Sequence, residues 1–177
     1  MPPVRLTIER HLQHVVEEEL EQTARDTGAK YVFAVVMDPK NGEILAIGQT
    51  PSFDPNQANE SPMETHPLRV FSTGYEPGSV LKPLFVAEAM QQGKLDTKSL
   101  IDCGQGQIKI GKVTIREAEA KEKFGLISME KILTVSSNVG AVRIAQTLGP
   151  EMLKQGLSRF GLLTKLNLPL PGEAVPN

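Results

Sequence analysis

Leu12, Val15, Val16 and Leu20 recur at helical spacing and predict an amphipathic helix from about Thr7 to Thr27, with Gly28 placed to close it. The apolar, β-branched run Tyr31 to Met37 is too short for a surface helix and is expected to form a buried strand. Asn41-Gly42 is a tight-turn signal, and Glu43 to Ile47 reads as the returning strand of a hairpin. Four prolines between Thr50 and Pro67 break any period, so that stretch is expected to be loop. Helical periodicity resumes at Ser79, with Leu81, Leu84, Phe85 and Ala89 on one face up to Gly93. A small hairpin, Gln107 to Ile110 and Val113 to Ile115, turns at Gly111-Lys112. Three more helices are expected, about Ser128 to Val135, Asn138 to Leu148 and Pro150 to Phe160, before a proline-bearing loop tail from Leu166 to Asn177.

Composition narrows the classes without choosing one. Of 177 residues 40% are apolar, which is enough to build a core and excludes wholesale disorder. Nineteen basic side chains against 21 acidic ones leave a net charge of −2, so nothing speaks for nucleic acid or an acidic membrane surface. A single cysteine, Cys103, allows neither an internal disulfide nor a cysteine metal cluster. The longest apolar run is far shorter than the ~18 residues of a spanning helix, and the N-terminus lacks the pattern of a signal peptide, so the chain as written is expected to be soluble.

Chemistry concentrates at Glu76-Pro77-Gly78-Ser79-Val80-Leu81-Lys82-Pro83. Ser79 and Lys82 are three residues apart at a helix start, so both side chains lie on one face. A desolvated lysine of lowered pKa can take the proton of a serine hydroxyl, and the helix N-terminus favours an oxyanion at the attacked carbonyl. The plain alternative is that Ser79 is only a helix cap. That reading does fit a second S-x-x-K, Ser128 to Lys131, where Ser128 is expected to cap and Lys131 to be solvated. Ser136-Ser137-Asn138 falls between two apolar helical stretches, where Ser136 and Asn138 would project into one cleft; the competing reading is a helix end followed by a capped helix.

S-x-x-K followed by S-x-N resembles the penicillin-binding proteins and class A β-lactamases. The resemblance is specifically to the transpeptidase domain of class B penicillin-binding proteins. It extends over Leu6-Thr7-Ile8-Glu9, Met37 to Ala46, Pro51 to Asn56, Tyr75 to Ser79, Thr114-Ile115-Arg116 and Ser136 to Gly140, essentially the whole chain. It implies an α/β (α+β) fold of the serine β-lactamase/D,D-peptidase kind, an antiparallel sheet with flanking helices plus an all-helical subdomain, here incomplete. It implies that Ser79 is the acylated nucleophile, Lys82 its proton acceptor, Ser136 a proton relay and Asn138 a binder of the substrate amide. The implied reaction is cross-linking of peptidoglycan by D,D-transpeptidation, with no cofactor and no metal. Peptidoglycan stem peptides, β-lactam antibiotics and other cell-wall synthesis proteins are the implied partners. The parent protein would be membrane-anchored, with this region on the extracytoplasmic face. Glu9 and Glu117 stand where the family often has aspartate and are expected not to touch the chemistry.

No Lys-Thr-Gly, Lys-Ser-Gly or His-Thr-Gly occurs in the sequence. The resemblance places that motif on a sheet strand downstream of S-x-N. The chain is therefore expected to be the N-terminal portion of the domain and inactive by itself: helix and hairpin at 1–50, loop at 51–78, a helical region with both motifs at 79–165, and a loop tail at 166–177. The run Tyr31 to Met37 would then leave an edge that recruits another strand or aggregates. Two other functions stay open, a non-catalytic scaffolding module and a D,D-carboxypeptidase or β-lactamase-type hydrolase. His11 and His14, one helical turn apart, are expected to be solvated rather than metal ligands, as are Glu17, Glu18 and Glu19. His66 lies in a proline-rich loop with no G-x-S-x-G elbow, and Cys103 is expected to be a packed or turn residue.

Overall fold

The computed structural model describes Pro3, residues 5–167 and residues 172–174; the rest of the expected loop tail lies outside the described residues. Its contacts divide the chain into two units, one formed by residues up to Gly74 with the segment Leu166–Ala174, the other by Tyr75–Lys165.

In the first unit, helix α1 (Arg10–Thr27) lies on a two-stranded antiparallel ladder of β1 (Val32–Met37) and β2 (Ile44–Thr50). The helix starts at Arg10 rather than Thr7 because the residues before it bond to β2. The Thr7 hydroxyl donates to the Ile44 carbonyl at 2.6 Å, and the Glu9 amide donates to that of Leu45 at 2.8 Å. The Glu9 carboxylate then caps the helix, accepting from the amides of Leu12 at 2.6 Å and His11 at 3.2 Å. Gly28 closes it in the left-handed conformation, φ 65°. Gln13 stitches helix to ladder, its amide exchanging two hydrogen bonds with the backbone of Ile47 at 2.8 and 2.9 Å.

The buried strand expected at Tyr31 to Met37 is corrected: none of the six residues of β1 is buried, and Val35 and Met37 are exposed. The helix covers β2 more than β1. Leu20 packs so closely on Gly48 that a Cβ there would stand 2.8 Å from Leu20 Cδ1. Among the described residues β1 pairs with β2 alone. The stretch expected as loop to residue 78 also contains structure. Two 3-10 turns (Pro55–Glu60 and Met63–Thr65) and the short helix α2 (Arg69–Ser72) occupy it, the first turn capped by Asp54 through the Asn56 amide at 2.8 Å.

The second unit contains α3 (Lys82–Gln91), α4 (Met129–Thr134) and α5 (Asn138–Arg159), with two short antiparallel ladders. The ladders pair β3 (Leu100–Asp102) with β6 (Leu126–Ser128) and β4 (Gln107–Ile110) with β5 (Val113–Arg116). The hairpin β4–β5 forms at the expected strands around the Gly111-Lys112 turn; β3 and β6 are too short to carry a period and were not legible. The two helices expected either side of Gly149-Pro150 run on as α5 with a break at Gly149, φ 75°. Met129, Ile132, Val139, Ile144 and Cys103 form the centre of the core.

The face expected for α3 is corrected as well. Lys82 and Glu88 are buried beside Val86 and Ala89, while Leu81, Leu84 and Phe85 are only half-buried. Glu88 is tolerated there because Arg159 pairs with it, Gln92 donates to it at 2.8 Å, and Gly156 leaves room for it. The Arg159 pairing holds the Glu88 carboxyl below the usual carboxylate range. Where α4 meets the first turn of α5, a Cβ on Gly140 would stand 2.6 Å from Ile132 Cγ1, on a side chain with no exposed surface. Gly140→Ala is therefore expected to destabilise the protein by about 1–3 kcal/mol through overpacking, measurable by denaturant unfolding.

Candidate active site

The second unit brings the four candidate residues together. Pro77 and Gly78, with Gly78 at φ 64°, lead into the 3-10 turn Gly78–Leu81, which presents Ser79 to solvent directly before α3. Ser79 does not cap that turn, which has no side-chain cap. Its hydroxyl oxygen accepts a hydrogen bond from the Ser136 hydroxyl at 3.0 Å.

Lys82, one turn on, is only 8% exposed. Its Nζ donates to Asn138 Oδ1 at 2.7 Å, to Ser136 Oγ at 3.1 Å and to the Ser136 carbonyl. The path from the Ser79 hydroxyl to the Lys82 amine thus runs through Ser136. Burial pushes the Lys82 pKa below its ordinary value, and the charges of Glu117 and Glu122 work against that fall.

The Ser136 to Asn138 segment is shaped by both readings that its sequence allowed. Ser137, fully buried, caps α5 by accepting from the Gly140 amide at 2.9 Å. Its neighbours on either side point elsewhere, Ser136 to the Ser79 hydroxyl and Asn138 to Lys82. Ser136 adopts a left-handed backbone, φ 54°, uncommon for a residue with a side chain. The turn is fixed by the Ser136 and Ser137 amides, which donate to the carbonyls of Leu133 at 3.1 Å and Ile132 at 2.9 Å. Asn138 donates through Nδ2 to the Arg116 carbonyl at 2.9 Å, so its amide bridges β5 to Lys82.

Glu117, expected not to touch the chemistry, bonds to the segment that carries Ser136 and Asn138 rather than to Ser79 or Lys82. It is 6% exposed and lies directly behind the segment. Oε1 accepts from Ser137 Oγ at 2.6 Å and the Val139 amide at 3.3 Å, and Oε2 accepts from the Asn138 amide at 2.6 Å. The signal that sequence offered was a carboxylate closing the Thr114-Ile115-Arg116 run; that it turns inward depends on pairing not visible in any local pattern.

A cleft of about 290 Å³ opens at Ser79, Lys82 and Asn138, with Phe85, Ile115 and Val142 on its apolar side. Other candidates lie elsewhere. His14 pairs with Glu18 at 3.5 Å on the exposed face of α1, and His66 packs against the Phe53 ring. Cys103 is buried in the core, where desolvation raises its pKa, and Ser128 caps α4 through the Lys131 amide at 3.1 Å. An exposed serine at a helix start, linked through a second hydroxyl to a buried amine of lowered pKa, is the arrangement that serine acyl-transfer chemistry uses.

Comparison with known proteins makes the class specific. Residues 32–176 match the family model of the penicillin-binding protein transpeptidase domain, and the chain belongs to that family. It is 35% identical over 175 residues to penicillin-binding protein PbpB of Mycolicibacterium smegmatis, covering 97% of this chain and 26% of that protein. It is 32% identical over 170 residues to the probable peptidoglycan D,D-transpeptidase PbpC of Pseudomonas aeruginosa, covering 96% of this chain and 30% of that protein. The fold is similar to crystal structures of penicillin-binding protein 3 from Mycobacterium tuberculosis, including a complex with ampicillin. The TM-score to that complex is 0.81 at 31% identity, over 96% of this chain and 37% of that one. The chain thus spans less than a third of the length of these two relatives.

Proposed function

We propose that this chain carries the nucleophile-bearing part of a peptidoglycan D,D-transpeptidase, in which Ser79 is acylated by the D-Ala-D-Ala end of a stem peptide or by a β-lactam. The observation that carries the reading is the hydrogen-bonded line from Ser79 through Ser136 to a buried Lys82. Ser79 Oγ attacks the penultimate D-alanine carbonyl as its proton passes by way of Ser136 to neutral Lys82. The tetrahedral intermediate collapses, and the terminal D-alanine leaves with a proton returned along the same line. The amine of a second stem peptide then attacks the acyl ester, forming the cross-link and restoring the serine. Asn138 holds Lys82 in place and lies at the cleft where a substrate amide would sit.

This reading implies β-lactams as inhibitors, stem peptides as substrates and cell-wall synthesis proteins as partners, at the extracytoplasmic face where peptidoglycan lies. No helix among the described residues is long and apolar enough to cross a membrane. The test is donor exchange: the full-length protein is incubated with a stem pentapeptide and isotope-labelled D-alanine. Incorporation of label into the peptide terminus is expected; hydrolysis without exchange would make the protein a carboxypeptidase, and no turnover would remove the assignment.

The reaction should also carry the signature of its base. Lys82 accepts a proton only when neutral, and its pKa lies below the ordinary lysine value of ~10.4. The acylation rate is therefore expected to rise with pH along a limb whose midpoint falls below that value. A pH profile of penicillin acylation measures it, and a limb at the ordinary lysine value would mean that Lys82 is not desolvated as described.

A further inference from the structure

We propose that Glu117 is a positioning residue for this site: its carboxylate holds the Ser136 to Asn138 segment in the geometry that joins Ser79 to Lys82. The inference rests on the catalytic reading above. Two buried groups grip one short segment from different sides. Lys82 bonds to Ser136 and Asn138, while Glu117 bonds to Ser137, Asn138 and Val139. Between them Ser136 is held in its left-handed backbone with its hydroxyl at Ser79.

Glu117 is itself anchored. Its amide donates to the Gly106 carbonyl at 3.0 Å, and Gly106, at φ 80°, lies so near the Glu122 carbonyl that no side chain fits there. No ion pair to Glu117 is found among the described residues. Its charge is instead met by the unpaired amides that open α5. A neutral amide of the same shape cannot substitute, because its NH2 group would face N–H donors. The charged groups acting on Lys82 are Glu117 just after β5 and Glu122 in the loop beyond; the turn between α4 and α5 and the start of α5 offer it the neutral Ser136 and Asn138. Removing the Glu117 charge therefore lowers the pH at which Lys82 becomes neutral, and also releases the segment.

A brace alone and a brace that also tunes the base differ in what they move. In Glu117→Gln the penicillin acylation rate of the full-length protein is expected to fall on the order of 100-fold, the cost of a misplaced reacting group. Its acid limb should move to lower pH. Glu117→Asp, which keeps the charge, should return the limb to its original position and recover part of the rate. In parallel, NMR titration of Lys82 in the full-length protein should show the same downward shift for Glu117→Gln. A folded Glu117→Gln variant with unchanged limb and unchanged Lys82 titration overturns the proposal. Should that variant fail to fold, the Asn138 amide of the unmodified chain decides: bonded to a carboxylate, it should resonate far downfield and exchange slowly, and an ordinary, fast-exchanging amide overturns the brace. A wild-type protein that is never acylated removes the catalytic reading, while the Lys82 titration and the Asn138 amide still decide the role of Glu117.

Discussion

Ser79→Ala is expected to abolish penicillin labelling of the full-length protein altogether, with no decrease in its melting temperature. The loss should be complete because the covalent bond needs an oxygen nucleophile, and Ser136, the nearest other hydroxyl, is engaged between Ser79 and Lys82. The fold should not suffer. Ser79 is exposed, caps no helix, and among the described residues makes its side-chain hydrogen bond to Ser136 alone, whose hydroxyl remains bonded to Lys82 in the variant. Intact mass and a thermal melt of the same sample measure both halves.

Lys82→Met is the second large effect, and it separates activity from stability in a different way. With Lys82 as the proposed general base, its loss is expected to slow acylation by roughly 100- to 10,000-fold. The unbranched thioether follows the path of the lysine stem and removes a buried amine, which offsets part of the cost of leaving acceptors without a donor. Those acceptors are the Ser136 carbonyl, Ser136 Oγ and Asn138 Oδ1. A net loss of about 1–3 kcal/mol in unfolding free energy is expected, from the unsatisfied acceptors. Single-turnover acylation and denaturant titration read the two effects, and a variant that retained full acylation would show that another group takes the proton.

Much of this site could be read in the sequence because its chemistry is local. Ser79 and Lys82 are joined by a single helical turn, and Ser136 and Asn138 flank a capping serine, so short spacing alone puts each pair on one side. What links the two pairs is not local. Lys82 meets Ser136 only because α3 packs against α4 and α5, and Glu117 reaches Ser137 only because β5 ends behind the first turn of α5. Periodicity failed where burial is paid for by partners rather than by apolarity. Lys82 and Glu88 occupy inward positions of α3 that an apolar count assigns elsewhere. It failed in the opposite sense at β1, where an apolar run is not buried because α1 covers β2 more than β1. The family resemblance, by contrast, was legible throughout, since the turn at Pro77-Gly78 and the S-x-N segment are constrained by backbone geometry as well as by chemistry.

The most direct measurement is to locate the acyl group. The full-length protein is incubated with a penicillin, digested, and its peptides sequenced by mass spectrometry. A penicilloyl ester on Ser79, absent when the protein is unfolded before incubation, is the expected result. Modification of a different residue, or none on a folded protein, would contradict the account.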